Sequence, residues 1–128
     1  PIMEMLEAGI DLKAMVHITS GGYSNLNRVE NDNVRFVIDP SPPVPEVFKL
    51  IQERGKVSDA EMYEVFNMGI GFVVVVNGME EFTKISTICK KYDVASKMIG
   101  CVEPCQGKEV TIPEFDLIGK GQKITKIK

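Results

Sequence analysis

Histidine is almost absent from this sequence, and cysteine is scarce. The one histidine is His17, and the three cysteines are Cys89, Cys101 and Cys105. No nucleophilic triad stands out around this lone imidazole. No paired catalytic carboxylates stand out. Cys101 and Cys105 lack the second ligand pair that a four-coordinate zinc site requires, so no metal site is expected. An odd cysteine count without a secretory pattern leads us to expect reduced thiols and a cytoplasmic protein. Long apolar runs are also missing. The longest, Ile70 to Val76, has seven residues, whereas a membrane-spanning helix needs about 20. No membrane partner is expected. Nor is there a basic stripe: the net charge is −3, which argues against nucleic acid as the main partner.

What remains is the composition of an ordinary globular domain, 44% apolar and 26% charged. A chain of 128 residues can bury a core without disulfides or metals, and we expect one domain over 1–128. It opens at Pro1, without methionine, directly into a helical pattern. We read it as a piece of a longer polypeptide.

Periodicity supplies the elements. Ile2, Met3, Leu6 and Ile10 have helical spacing with Gly9 as a stop, and Leu12 to Met15 could add a turn. A strand is expected over about 15–19 and a short helix from Tyr23 to Val29. Val34 to Ile38 is β-branched and bounded by polar residues and Asp39-Pro40, which predicts a strand. Pro45 can open the next helix, whose apolar stripe is Val47, Phe48, Leu50 and Ile51. Ser58-Asp59-Ala60-Glu61 is a capping box for a helix with Met62, Val65 and Phe66 inward. The all-apolar stretch Phe72 to Val76 predicts a central strand covered on both faces. Met79 to Tyr92 is a helix with Phe82, Ile85, Ile88 and Cys89 on one face. Strands are expected over 95–102 and 109–113, with an edge strand or tail over 123–128. This order predicts an α/β (α+β) layered domain. We expect a partly ferredoxin-like mixed sheet around Val34–Ile38, Phe72–Val76 and Met98–Val102.

Chemistry concentrates in His17-Ile18-Thr19-Ser20-Gly21-Gly22. A strand that breaks at glycines and re-enters as a helix leaves backbone N–H groups unpaired, and these suit a phosphate or carboxylate. The plainer reading is a structural turn. Thr19 and Ser20 can cap the helix start or hold a ligand oxygen. His17 can act as a base or donor, or simply end a strand. Arg28 can reach a phosphate or pair with Glu30 or Asp32. In Phe66-Asn67-Met68-Gly69-Ile70-Gly71, Asn67 tolerates left-handed backbone and Gly69 and Gly71 permit close approach. That segment serves as a helix stop, or as a wall against the His17 loop or a ligand. Asp39 stands at a strand end, where a carboxylate caps a turn or meets a ligand.

Taken together these segments resemble the phosphoribosylformylglycinamidine cyclo-ligase family, also called aminoimidazole ribonucleotide synthetase. His17-Ile-Thr-Ser-Gly-Gly22 followed by Asn25-Leu-Asn-Arg28-Val is similar to its His-Ile-Thr-Gly-Gly-Gly and Glu-Asn-Ile-Pro-Arg-Val signature. Val37-Ile-Asp39, Pro45-Glu-Val-Phe48, Leu50-Ile-Gln52, Gly55-x-Val57, Glu61-Met-Tyr63 and Phe66-Asn-Met-Gly-Ile-Gly71 continue in the same order. The resemblance covers about residues 1–103. Ser20 stands where the family usually has glycine, and Asn27 where it usually has proline. A serine would be strained if its position needed a left-handed backbone.

The resemblance implies a layered α/β/α C-terminal domain of a two-domain enzyme of purine biosynthesis. That enzyme converts formylglycinamidine ribonucleotide and ATP to aminoimidazole ribonucleotide, ADP and phosphate. It implies ATP and Mg²⁺ held mainly by an N-terminal domain, which also forms the homodimer, and a fragment inactive alone. Thr19, Ser20, Gly21, Gly22 and Arg28 would bind the ribonucleotide phosphate. His17, Asn67 and Gly69 would shape the cleft, and no residue is singled out as catalytic. Two other readings stay open: a related ATP-dependent superfamily member, and a binding module without catalysis. The related members are the amidotransferase of the preceding purine step, a thiamine-phosphate kinase, a selenophosphate synthetase and a hydrogenase maturation protein.

Overall fold

The computed structural model describes residues 1–127. The α/β class holds. Among the described residues, helices α1 (Ile2–Glu7), α2 (Glu46–Gly55), α3 (Asp59–Val65) and α4 (Met79–Lys91) intersperse with seven strands. These are β1 (Ala14–His17), β2 (Val34–Ile38), β3 (Phe72–Val75), β4 (Gly100–Pro104), β5 (Lys108–Ile112), β6 (Leu117–Lys120) and β7 (Lys123–Lys126). Gly22–Arg28 and Pro113–Phe115 are 3₁₀ helices. The last residue of the expected 123–128 element lies outside the described residues.

The chain forms two compact units. The smaller combines Pro1–Met15 with Val74–Met98, and the larger holds Val16–Val73 with the chain from Ile99 onward. In the smaller unit α1 lies against α4. Met5, Ile10, Ile85, Ile88 and Cys89 form its core, with Ile2, Leu12, Val74 and Val76 packed around them. Ile85, Ile88 and Cys89 recur at helical spacing and so share one face. Glu4 on α1 accepts hydrogen bonds from the Lys91 ammonium and, at 2.8 Å, from the Tyr92 hydroxyl. Those bonds hold its carboxyl below the usual carboxylate range. Leu12 and Lys13 do not extend α1. Gly9 turns the chain at φ +70°, and the Lys13 N–H donates instead to the Val75 carbonyl at 2.8 Å.

The larger unit is built on a five-stranded sheet in the order β4-β2-β5-β6-β7. β2 runs antiparallel to β4 and parallel to β5, and the remaining pairs are antiparallel. Strand alternation sends Phe36, Ile38, Val110, Ile112, Leu117 and Ile124 to one buried face. The first 3₁₀ helix and α3 pack there, with Tyr23, Leu26, Met62 and Tyr63 fully buried. Within this unit the first 3₁₀ helix and α3 form one helical layer against the sheet.

The opposite face carries a charged row in register across the sheet: Glu103, Arg35, Glu109, Lys120 and Lys123. Glu109 is buried, and Arg35 Nε reaches it at 2.6 Å and Lys120 Nζ at 3.4 Å. Burial pushes the Glu109 pKa up, but the Arg35 and Lys120 contacts outweigh it and hold the carboxyl below its usual range.

Three expectations are corrected. The all-apolar stretch 72–76 does not join Val34–Ile38 and Met98–Val102 in one sheet. Among the described residues β3 pairs only with β1, and the neighbours of β2 are β4 and β5. Phe72 is 47% exposed, so an apolar run reported a demand for burial without naming the strand that would meet it. The stripe of α2 is not buried either: Val47 and Leu50 are exposed, and α2 leans on α3 through Phe48 and Phe66, rings 5.9 Å apart. On α3 the inward residues are Met62 and Tyr63, while Val65 is exposed. Seven residues allow only one buried stripe, and the Ser58 cap, accepting from the Glu61 N–H at 3.3 Å, sets its phase.

Tyr63 meets Tyr23 edge-on, centroids 5.3 Å apart, and Phe115 at 5.1 Å. Neither tyrosine hydroxyl makes a hydrogen bond of good geometry among the described residues, although the equally unsatisfied Ser41 hydroxyl lies near that of Tyr63. Burial, helped by Glu114 and Asp59, pushes the Tyr63 phenol up to about 12, although the neighbouring Ser41 hydroxyl pulls it down. An unpartnered buried hydroxyl is a liability. Tyr63→Phe should therefore raise the unfolding free energy by about 1 kcal/mol in denaturant titrations; a loss of stability would reveal a partner. Glu109 predicts a pH dependence. Its folded pKa is depressed, so its contribution is complete above the unfolded value near 4.5. That contribution disappears as pH falls through the lower folded value. Glu109→Gln should flatten stability against pH between that folded value and 4.5, measured by thermal unfolding at stepped pH.

Candidate functional site

The two glycine motifs of the sequence meet in the larger unit. The Ile18 N–H donates to the Gly71 carbonyl at 3.0 Å, and the His17 and Phe72 rings lie 6.5 Å apart. Between them the chain turns sharply at Gly21 (φ +103°) and Gly22 (φ +50°). Gly22 is the tightest point. A Cβ there would stand 2.1 Å from the Tyr63 carbonyl oxygen and 2.7 Å from that of Phe66. Only a glycine lets the loop backbone lie against the end of α3. A Cβ on Gly21 would stand 2.6 Å from Asn25 Nδ2.

The loop is polarised. The Thr19 carbonyl accepts from the Gly22 N–H at 3.0 Å, and the Gly21 carbonyl accepts from the Ser24 hydroxyl at 2.6 Å and the Ser24 N–H at 3.1 Å. The Ser20 carbonyl accepts from Asn25 Nδ2 at 3.4 Å, and Asn25 Oδ1 accepts from the Thr19 N–H at 3.0 Å. Ser24 and Asn25 are buried, while Thr19 and Ser20 are exposed. All three carbonyls are satisfied from within. The N–H groups of Ser20 and Gly21 have no acceptor among the described residues. A turn whose carbonyls are satisfied from within while successive N–H groups lack an acceptor is chemically suited to an anion.

Ser20 is not among the positive-φ residues. The left-handed conformations fall on the two glycines that follow, so serine at position 20 carries no strain and adds a hydroxyl beside the free N–H groups. The helix is not the one expected. Gly22–Arg28 is a 3₁₀ helix of seven residues with no side-chain cap bond, so Thr19 and Ser20 do not cap it and the loop amides are the main donors. Arg28 ends that helix, about 12 Å from Gly22 at the 3₁₀ rise. It is exposed and pairs with neither Glu30 nor Asp32 among the described residues; Asp32 pairs with Lys108 at 3.0 Å.

His17 is exposed at the end of β1. The second motif is a tight turn: Met68 and Gly69 take φ +50° and +94°, and the Ile70 N–H donates to the Asn67 carbonyl at 2.9 Å. Asn67 does not itself adopt the left-handed backbone. Its Oδ1 accepts from the Gly69 N–H at 3.0 Å, so its amide stabilises its own turn. A Cβ on Gly69 would meet the Pro45 ring at 2.7 Å, whereas one on Gly71 would meet nothing within 4 Å. The expected close approach therefore belongs to Gly69, not Gly71. Pro45 precedes α2 and does not open it.

Three contributors escape sequence reasoning. Ser24 and Asn25 look like ordinary polar residues of a short helix, and their burial is the only mark of their work. Asn27 donates from Nδ2 to the carbonyls of Gly119 and Gly121 at 3.2 and 3.0 Å. It ties the 3₁₀ helix to the β6–β7 turn, which a proline could not do. Among the described residues no group of three or more His, Cys, Asp or Glu side chains is placed to hold a metal ion. No described helix is long and apolar enough to cross a membrane.

A mixed sheet faced by short helices, with a glycine-turned loop at the end of β1 whose Ser20 and Gly21 N–H groups have no acceptor among the described residues, defines the class: an α/β domain. Residues 2–113 match the family model for the C-terminal domain of AIR synthase related protein. The chain belongs to that family. It is 42% identical over 103 residues to the phosphoribosylformylglycinamidine cyclo-ligases of Methanococcus vannielii and Methanocaldococcus jannaschii, covering 80% of this chain and 29% of each relative. The cyclo-ligase of Methanopyrus kandleri is 41% identical over 108 residues, covering 84% of this chain and 30% of the relative. The chain thus spans under a third of the length of these curated relatives.

The steric test of the site is Gly22→Ala. Its methyl group would collide with backbone rather than with a movable side chain. We expect a loss of about 3 kcal/mol or more, read by denaturant unfolding, with Gly71→Ala costing far less.

Proposed function

We propose that this chain is the C-terminal domain of an ATP-dependent phosphoribosylformylglycinamidine cyclo-ligase, and that its Thr19–Gly22 loop grips the 5′-phosphate of the ribonucleotide. The reaction would activate the formyl oxygen by phosphorylation from ATP. The amidine nitrogen would then close the imidazole ring and expel phosphate. The likeness to the archaeal cyclo-ligases supports the reaction class, since matching segments run from the His17 loop through Gly71 in one order.

The observation that carries the loop's role is its polarity: carbonyls satisfied inward, Ser20 and Gly21 N–H groups without an acceptor. The Ser20 and Thr19 hydroxyls add donors at the same edge. Arg28, one helix length away, would draw the anion by its charge or meet a second ligand group. His17, Asn67 and Gly69 would form the rim. ATP and Mg²⁺ would be held mainly by the N-terminal domain of the longer polypeptide, which would also form the homodimer. On this reading the 128 residues alone turn over neither ATP nor ribonucleotide, and the full enzyme works in the cytoplasm.

Hydrogen bonds to a charged group contribute about 1.5–3 kcal/mol each. Two of them correspond to a dissociation constant near 1 mM, roughly 4 kcal/mol. Titration of the ¹⁵N-labelled chain with ribose 5-phosphate should therefore shift the Ser20 and Gly21 amides saturably in the millimolar range. Gly21→Val should abolish the response, because its side chain would displace Asn25. Shifts spread evenly over the surface, or an unchanged response in Gly21→Val, would remove the loop from the site.

A further inference from the structure

Asn25 makes two of the internal hydrogen bonds that set the loop's polarity. Asn25 is 1% exposed, so its amide has no water to satisfy it. It spends both ends on consecutive residues of one loop: Oδ1 takes the Thr19 N–H at 3.0 Å, and Nδ2 reaches the Ser20 carbonyl at 3.4 Å. Adjacent N–H and C=O groups require an acceptor and a donor side by side, which a planar carboxamide supplies and a carboxylate or alkyl group does not. The loop is shaped around this side chain, because a Cβ on Gly21 would stand 2.6 Å from Nδ2.

We infer that Asn25 is the positioning residue of the anion loop, the group that makes it a receptor for phosphate rather than a plain turn. The inference rests on the loop binding phosphate as proposed above. By pulling the Ser20 carbonyl inward, Asn25 keeps the negative end of that peptide dipole away from a bound anion. By holding the Thr19 N–H, it sets the peptide planes that follow, and with them the directions of the Ser20 and Gly21 N–H groups. The Ser24 hydroxyl does the same for the Gly21 carbonyl, but it acts on one group only. Asn25 touches no ligand in this role and acts entirely through the backbone.

The test uses the ¹⁵N-labelled chain, amide hydrogen exchange and inorganic phosphate as the probe. In Asn25→Ala the Thr19 amide should exchange at least about tenfold faster and phosphate should bind about tenfold more weakly. Amides of β5 and β6 should keep their protection. Asn25→Asp keeps the shape and the acceptor but loses the donor. It should restore Thr19 protection while leaving phosphate binding as poor as in Asn25→Ala, a split that general destabilisation would not produce. Unchanged Thr19 exchange and phosphate affinity in Asn25→Ala would overturn the inference. So would protection lost equally from the loop and from β5 and β6, which would make Asn25 a plain core residue. If Asn25→Ala does not fold, Thr19 exchange in Asn25→Asp decides instead, since the new carboxylate repels phosphate by itself: retained protection supports the inference and lost protection overturns it. If the wild type shows no phosphate response at Ser20 and Gly21, the phosphate reading fails first, and Thr19 exchange still shows whether Asn25 holds the loop.

Discussion

The larger unit turns on one close approach, that of Gly22 to the end of α3. The backbone there lies so near the Tyr63 and Phe66 carbonyls that a single methyl group would not fit. This contact joins the segment after β1 to the segment before β3, and the ladder bond from Ile18 to Gly71 closes the same junction from the other side. With both fixed, the chain between His17 and Gly22 has little freedom left. Its direction is set by packing, and its polarity by the two buried side chains beneath it.

Neighbouring groups are arranged to keep that junction rigid. Tyr63, whose carbonyl leaves no room for a Cβ on Gly22, anchors its ring between Tyr23 and Phe115. Asn27 fastens the far part of the 3₁₀ helix to the β6–β7 turn. The sheet behind is locked in register on its other face by the charged row centred on buried Glu109. A carboxylate between two cations penalises any slip of β5 against β2 or β6, because a slip would leave a buried charge unpaired. An exposed loop can present unpaired N–H groups only if the scaffold beneath it does not collapse to satisfy them.

Legibility in the sequence followed the range of the interactions involved. Val34–Ile38 and Met79–Lys91 were plain because β-branching and helical spacing act within a few residues. The Ser58 cap was plain for the same reason. Sheet partners were not: nothing in Phe72–Val75 says that it pairs with Ala14–His17 while Lys108–Ile112 takes the place beside Val34–Ile38. β6 went unrecognised, since Leu117–Lys120 is short and contains a glycine. The stripe of α2 shows the limit of amphipathicity, which states what a helix can bury and not what covers it. In the candidate site, the glycines at 21, 22 and 69 and the exposed Ser20 were readable. Their reasons were not, because the atoms that demand glycine come from Tyr63, Phe66 and Pro45, distant in the chain.

By itself the sequence determined the α/β class, most local elements, the family through its ordered motifs, and the place where the backbone must turn. Those properties depend on local dihedral preference and on residue order, both of which are present in the linear chain. The tertiary structure alone decided that Ser20 is free of strain and that Asn67 serves its own turn. It alone turned a short glycine turn into a polarised loop through the buried amide of Asn25. These outcomes depend on which groups are withheld from water, and a linear chain does not specify burial until its distant parts have come together.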